Sequence, residues 1–383
     1  MPKRLVICCD GTWNTPDQVR GGAPAPTNVA KMALAVAPED VVGQEQRTFY
    51  HRGVGTGHWD RVRGGVVGAG LSNNVRDAYR FLVRNYEPGD ELYFFGFSRG
   101  AYTARSTVGL VRNCGILRPE NIGRVDEAYD LYRSRRPDAH PRSIESKLFR
   151  RSHSFETRVR FIGVWDTVGA LGIPLSGPRL VNFVNRRWQF HDTELSASVE
   201  SAYQALAIDE KRGPFRPAIW TQPKAEYGQK VEQAWFAGVH CDIGGGYAET
   251  ALSEIPLLWM VDRARSQGLA FDPGSFTPVS SGNESLRRTG EHVSPDALGQ
   301  LHESRKRFYR LLPKFVRDIG TADGAHEQVA SSAFERHQLM EGYAPANLVG
   351  YLGGKSPQIM QVDSRRRRPG RPATNALDGE TVT

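Results

Sequence analysis

The chain has 383 residues, of which 39% are hydrophobic and 10% aromatic, with 40 glycines; this excludes a fibrous or disordered polypeptide and leaves a loop-rich globular protein able to bury a large core. Lysine plus arginine outnumber aspartate plus glutamate by 50 to 42, but four arginines sit together at Arg365–Arg368, so the excess predicts a solvated basic tail and no nucleic-acid partner. No run approaches the roughly 18 to 20 apolar residues that span a bilayer, and the first apolar run is too short for a signal sequence, so synthesis in the cytoplasm is expected, with any export by a route that uses no cleavable signal.

Leu5-Val6-Ile7-Cys8-Cys9 is a short continuous apolar run that predicts a buried parallel strand ending in a loop at Asp10-Gly11-Thr12. Thr27 or Asn28 caps a helix carrying Val29, Met32, Ala33 and Val36. Thr48-Phe49-Tyr50 reads as a second strand, and the glycine-rich stretch Gly53–Gly57 after it lacks the Gly-Lys-Ser/Thr ending of a phosphate loop, so a flexible loop is expected there. Val75, Tyr79, Leu82, Val83 and Tyr86 mark a helix over 74–86, stopped by Glu87-Pro88-Gly89-Asp90. Glu91-Leu92-Tyr93-Phe94-Phe95 is the clearest strand and runs directly into Gly96-Phe97-Ser98-Arg99-Gly100, after which Ala101, Ala104, Val108 and Val111 continue as a helix.

The charged stretch at about 118–158 reads as an insertion. Val159–Trp165 is a further strand ending at Asp166, and Val231–Val239 another, ending at His240-Cys241-Asp242; a helix with Ile255, Leu258, Trp259 and Val261 comes next. A long polar loop is expected at about 272–298 and a disordered basic tail over 355–383. Alternating strands and helices predict an α/β fold with a mostly parallel central sheet, helices on both faces, and one catalytic domain over 1–350. The four cysteines have neither disulfide nor zinc spacing, so they are expected reduced, with no metal and no cofactor.

Strand, Gly-x-Ser-x-Gly turn and helix together form a nucleophile elbow, which makes Ser98 the candidate nucleophile. The helix starting beneath it lets the Arg99 N–H donate to an oxyanion, and the loop at Gly11 is placed to supply the second donor. Serine needs a base and the base an orienting acid, in the chain order serine, acid, histidine for this fold. Asp166 and Asp242 each end a later strand, and the residues alone leave both open as the acid. Among His191, His240, His292, His302, His326 and His337, His326 comes after the last recognisable strand and is the preferred base; His240, itself at a strand end, would need Asp166 as its acid. Asp10 does not signal a haloacid-dehalogenase phosphatase, because Cys8 stands where the phosphoryl-accepting carboxylate would be.

The segments Cys9-Asp10-Gly11-Thr12-Trp13-Asn14, Gly96-Phe97-Ser98-Arg99-Gly100-Ala101, Val164-Trp165-Asp166-Thr167-Val168-Gly169 and Trp235–Gly246 together resemble the bacterial and fungal α/β-hydrolases that include the phospholipase effectors of type VI secretion. That resemblance implies Ser98 as nucleophile, Asp166 as acid and His326 as base, with Gln328 standing where the family has a serine and with Arg336 and Tyr343-Ala344-Pro345-Ala346-Asn347 matching its late segment. It also implies a lipid or other acyl-ester substrate, transient contact with a membrane surface, a secretion or immunity partner of unspecified identity, and a lid or docking role for the segments at 118–158 and 272–298. Two rival readings stand beside it: a fold kept as an interaction module without turnover, and a metal-dependent phosphoesterase whose cation is held by Asp10, Asp242 or His240.

Overall fold

The computed structural model describes residues 2–11, 14–53, 66–134, 136, 139–169, 195–221, 228–278, 292–322, 324 and 326–364. Eight strands build its main sheet: β1 (Arg4–Cys9), β2 (Gln46–His51), β3 (Glu91–Phe97), β4 (Phe161–Trp165), β5 (Ser201–Ala207), β6 (Lys230–Phe236), β7 (Glu327–Ala330) and β8 (Ile359–Met360). Their order is β8-β7-β6-β5-β4-β3-β1-β2, and every neighbouring pair is parallel. Among the described residues the α-helices are α1 (Asn28–Ala35), α2 (Val66–Asn85), α3 (Arg99–Cys114), α4 (Val125–Arg133), α5 (Ile144–His153), α6 (His240–Gly244), α7 (Ala251–Ser266), α8 (Ser331–Leu339) and α9 (Ala346–Leu352). This is the α/β-hydrolase-like arrangement expected from the sequence.

Side chains alternate across a strand, so each central strand feeds two cores. Val6, Cys8, Tyr93, Phe95 and Phe97 pack with Val29 and Met32 of α1 and with Ile255, Leu257 and Met260 of α7. Leu5, Ile7, Cys9, Leu92 and Phe94 pack on the other face with Tyr79 and Leu82 of α2, Ala104 and Val108 of α3, and Ala128 of α4. Tyr93, Phe161 and Tyr203 stack across three strands with ring centroids 6.0 and 5.1 Å apart. Truncating one such ring to alanine costs about 3–5 kcal/mol, so the strand that carries Ser98 is anchored on both faces.

The chain leaves β1 for β2 on one side and returns to β3 on the other, so strand order reverses between β1 and β3. The loops leaving the C-terminal ends of two such strands diverge and open a crevice. Gly11 and Ser98 sit at those two ends.

Three strands of the main sheet are absent from the sequence expectations. Ser201–Ala207 carries serine, glutamine and small alanines instead of an apolar run, although all seven residues are buried. Glu327–Ala330 is short and half polar. The tail expected to be disordered from 355 instead supplies β8, with Ile359 opposite Val329 and Met360 opposite Ala330; residues 365–383, with the arginine run, lie outside the described residues, as do Thr12, Trp13, 54–65, His191 and 279–291. The segment at 118–158 packs against α2 and α3 on one sheet face, and Arg150 Nη1 donates to Asn113 O, at the far end of α3 from Ser98, at 2.9 Å. Among the described residues, no helix is long and apolar enough to cross a membrane.

Candidate active site

Ser98 links β3 to α3 with φ 57° and ψ −120°, a left-handed conformation that costs a residue with a side chain of order 1–3 kcal/mol. The flanking glycines show why the turn needs this motif. A Cβ on Gly96 would lie 2.6 Å from Ala101 Cα, and one on Gly100 would lie 2.1 Å from the Cys9 carbonyl oxygen. The elbow is pinned to its neighbour by Ser98 N–H donating to Trp165 O at 3.0 Å.

Asp166 ends the adjacent β4 and also has a positive φ, 42°, so backbone strain is concentrated at two neighbouring strand ends. Its carboxylate is fully buried. Oδ2 accepts from His240 Nδ1 at 2.5 Å and from Arg317 Nη2 at 3.0 Å, while Oδ1 accepts from Arg317 Nη1 at 2.6 Å and from Ala207 N–H at 3.1 Å. Burial pushes this carboxyl up, but the charge of Arg317 and the hydrogen bond from His240 outweigh burial and hold it well below the usual carboxylate range.

His240 opens α6 beyond the C-terminal end of β6 and is buried. Its ring lies 4.6 Å, centroid to centroid, from that of Phe97, the residue before Ser98, and 4.9 Å from that of Phe215. A carboxylate only accepts, so Nδ1 carries the proton of the neutral ring and Nε2 is the basic nitrogen. Burial lowers the imidazole below its ordinary value against the opposing pull of Asp166, which keeps the ring neutral near pH 7. Glu210 stands beside it, accepting from His240 N–H at 3.3 Å and paired with Arg212 through two bonds of 2.9 Å.

His326, the preferred base of the sequence reading, is a correction. It directly precedes β7, with its side chain exposed; Glu327 is level with Gln233, Gln204, Val164 and Gly96 across the sheet. His326 therefore lies below the edge that carries Ser98 and four strands away, about 19 Å at the usual strand spacing. The short β7 was not legible, and without it His326 looks like a residue beyond the last strand. The alternative pairing is the one formed: Asp166 meets His240.

Asp242, the other candidate acid, is occupied elsewhere, accepting from His302 Nδ1 at 2.6 Å and from Val239 N–H at 3.0 Å. The oxyanion expectation divides. Arg99 N–H is the first amide of α3, where helix geometry supplies no i−4 carbonyl. Gly11 N–H instead donates to Asp10 Oδ1 at 2.6 Å, and the loop approaches the elbow closely: a Cβ on Gly11 would lie 3.3 Å from Ser98 Cβ. Asp10 accepts from Gly11 N–H, from Thr27 Oγ1 at 2.6 Å and from Tyr50 OH at 2.7 Å. Asp10, Asp242 and His240 thus each hold separate partners, and among the described residues no three His, Cys, Asp or Glu side chains converge on a cation position.

Arg317 was not legible as a site residue, because it sits in an irregular segment with no motif around it. Gln204 was missed too; it lies wholly buried beneath Asp166, accepts from Thr167 Oγ1 at 2.9 Å and donates to Gln233 Oε1 at 3.3 Å.

A family model for the catalytic domain of Tle1-like phospholipase effectors of type VI secretion matches residues 3–263, a span that holds Ser98, Asp166 and His240 and ends before Arg317 and His326. An uncharacterized protein of Saccharomyces cerevisiae, YEL023C, is 27% identical over 242 residues, 57% of this chain and 33% of the yeast protein. Among solved structures, an uncharacterized Pseudomonas aeruginosa protein is 18% identical, covering 76% of this chain and 49% of its own, with a TM-score of 0.44. The Tle1 effector bound to the VgrG spike is 20% identical over 65% of this chain and 52% of its own, with a TM-score of 0.34. The butyrate-bound esterase Est2 of Thermogutta terrifontis is 15% identical over 70% of this chain and 85% of its own, with a TM-score of 0.35. The chain spans about a third of the yeast protein and about half of the Pseudomonas one.

Proposed function

Since the chain belongs to the family of Tle1-like phospholipase effector catalytic domains of type VI secretion, we propose that it is a serine-dependent hydrolase of carboxylic esters acting on fatty-acyl esters of lipids, in the manner of a phospholipase A. The observation that carries this reading is the buried Asp166–His240 pair at 2.5 Å, whose imidazole lies tilted against the ring of Phe97, the residue before the left-handed Ser98.

In this mechanism the Ser98 hydroxyl attacks the ester carbonyl while His240 Nε2 takes its proton. Asp166 holds the imidazolium through Nδ1–H and stabilises its charge. Arg99 N–H, at the positive end of α3, donates to the oxyanion that develops on the carbonyl oxygen. His240 then returns the proton to the departing alcohol, a lysolipid, leaving the fatty acyl group on Ser98. Water adds by the same route, with His240 as base, and releases the fatty acid and the free serine. The substrate reaches the site at a lipid surface, and delivery by a type VI apparatus is inferred from the family alone. The catalytic unit runs from β1 to β8.

The test is labelling by a fluorophosphonate together with hydrolysis of p-nitrophenyl butyrate and of phosphatidylglycerol vesicles. The expected result is a covalent adduct on the Ser98 peptide and loss of both hydrolyses in Ser98→Ala. Full activity of Ser98→Ala overturns the serine mechanism, and hydrolysis of the butyrate ester alone restricts the chain to a general esterase.

A further inference from the structure

We propose that Arg317 is a positioning residue for Asp166, fixing the acid's orientation by a two-pronged grip on both carboxylate oxygens and, through its charge, setting the pH at which the Asp166–His240 pair gives up its proton. This inference rests on the assignment of Ser98, His240 and Asp166 as the catalytic residues.

The geometry is specific. The Arg317 guanidinium is wholly buried, and each terminal nitrogen makes two bonds. Nη1 donates to Asp166 Oδ1 at 2.6 Å and to Ala207 O at 2.9 Å; Nη2 donates to Asp166 Oδ2 at 3.0 Å and to Phe215 O at 2.6 Å. The two carbonyls fix the guanidinium plane, and the plane fixes the carboxylate, because a planar fork matches only one rotation of its partner. Oδ2, the oxygen that meets His240 Nδ1, is therefore held in place from the far side. Ala207 N–H is the one main-chain donor to this carboxylate among the described residues.

Arg317 arrives on the segment 302–317, which includes a short helical turn, Arg307–Leu311, and crosses the C-terminal edge of the sheet. That segment is fastened by His302 Nδ1 to Asp242, by Ser304 Oγ to Glu210 Oε1 at 3.0 Å, by Phe315 N–H to Lys211 O at 3.0 Å, and finally by Arg317 to Asp166. The acid is thus clamped by a part of the chain remote from the nucleophile in sequence.

The local charge balance gives the second consequence. Among the described residues, the charged groups about the Asp166–His240 pair are Asp166 itself after β4, Glu210 and Arg212 after β5, and Arg317 on the crossing segment. Two carboxylates and two guanidiniums sum to zero. An imidazolium forming beside an isolated aspartate would be strongly favoured; here the aspartate is already neutralised, so the shared proton leaves at lower pH. Removing the Arg317 charge makes the pair more basic, whichever of its members then holds the proton.

The experiment measures kcat/KM and kcat against pH for the wild type, Arg317→Gln and Arg317→Lys, with Ser98→Ala and His240→Ala as reference arms. Arg317→Gln should move the acidic limb of kcat/KM upward by about one pH unit or more and lower the plateau kcat by about tenfold or more, with KM near the wild-type value. Arg317→Lys keeps the charge and loses the fork, so its limb should stay in place while kcat falls. Folded variants with wild-type kcat and an unmoved limb would overturn the inference, as would a change in KM alone. If Arg317→Gln does not fold, Arg317→Lys decides: kcat must fall with the limb unmoved. Full activity in Ser98→Ala or His240→Ala would sink the underlying catalytic assignment; loss in both, with indifferent Arg317 variants, would sink only the role of Arg317.

Discussion

Replacing Asp166 by asparagine should damage stability and catalysis together, and the structure sets the size of both effects. The carboxylate accepts four hydrogen bonds, two from Arg317, one from His240 and one from Ala207. Asparagine keeps the shape, removes the charge and turns an NH2 group towards one set of donors. Arg317 is then a buried cation without its counter-charge, and breaking a buried pair in this way costs about 3–5 kcal/mol. For a chain of this length that corresponds to a Tm lower by roughly 5–10 °C, scaling down the 2–4 °C per kcal/mol of smaller domains. The sign with pH comes from the depressed folded-state value: the stabilisation is complete above the unfolded value near 3.9 and is lost as pH falls through the folded one. The gap in Tm between wild type and Asp166→Asn should therefore be full at pH 7 and begin to narrow below about pH 4. Catalysis should fall by about 10⁴ in kcat, because an amide facing Nδ1 selects the wrong tautomer. Calorimetry at pH 7 and pH 3.5, with ester hydrolysis at pH 7, measures all three quantities. A variant with wild-type Tm at pH 7, or with kcat within tenfold, would mean that Asp166 is neither the counter-charge of Arg317 nor the acid that orients His240.

Ser98→Gly should raise stability by about 1 kcal/mol, read as a higher Tm, since glycine accepts the positive φ, while abolishing hydrolysis; a lower Tm would mean the elbow is not strained. Gly100→Ala should fold poorly or lose several degrees of Tm, because its Cβ would meet the Cys9 carbonyl oxygen at 2.1 Å, and thermal melts that match the wild type would contradict this. Burial lowers His240, so the acidic limb of kcat/KM should lie below the ordinary imidazole value of about 6.5; a pH–rate profile with the limb above it would show the base to be solvated or absent. Dialysis against a chelator should leave the rate unchanged, and loss restored by a divalent cation would return the metal-dependent reading.

The sequence was most legible where strands are apolar and end in motif residues. β1, β3 and β4 announce themselves by continuous buried runs, and Ser98 and Asp166 stand directly at the ends of two of them. β5 and β7 hide because their stability comes from neighbours instead of their own hydrophobicity: Gln204 is carried in the interior by Thr167 and Gln233, and Gln328 sits in a strand only four residues long. Missing β7 is what put His326 forward as the base, because the rule that puts the histidine after the last strand depends on knowing which strand is last. His240 was visible as a strand-end histidine with Asp166 as its required acid, but pattern alone could not rank that pair above a late histidine in a familiar context. Arg317 carries no local signature at all; its role comes from where an irregular segment crosses the sheet edge, a long-range contact across 151 positions.

In the proposed mechanism His240, and not His326, is the base acting on Ser98. Hydrolysis of p-nitrophenyl butyrate by wild type, His240→Ala and His326→Ala at pH 8 tests it most directly. His240→Ala should lower kcat/KM by about 10³ or more, with His326→Ala within about twofold of wild type. Activity retained by folded His240→Ala and lost by His326→Ala would contradict it.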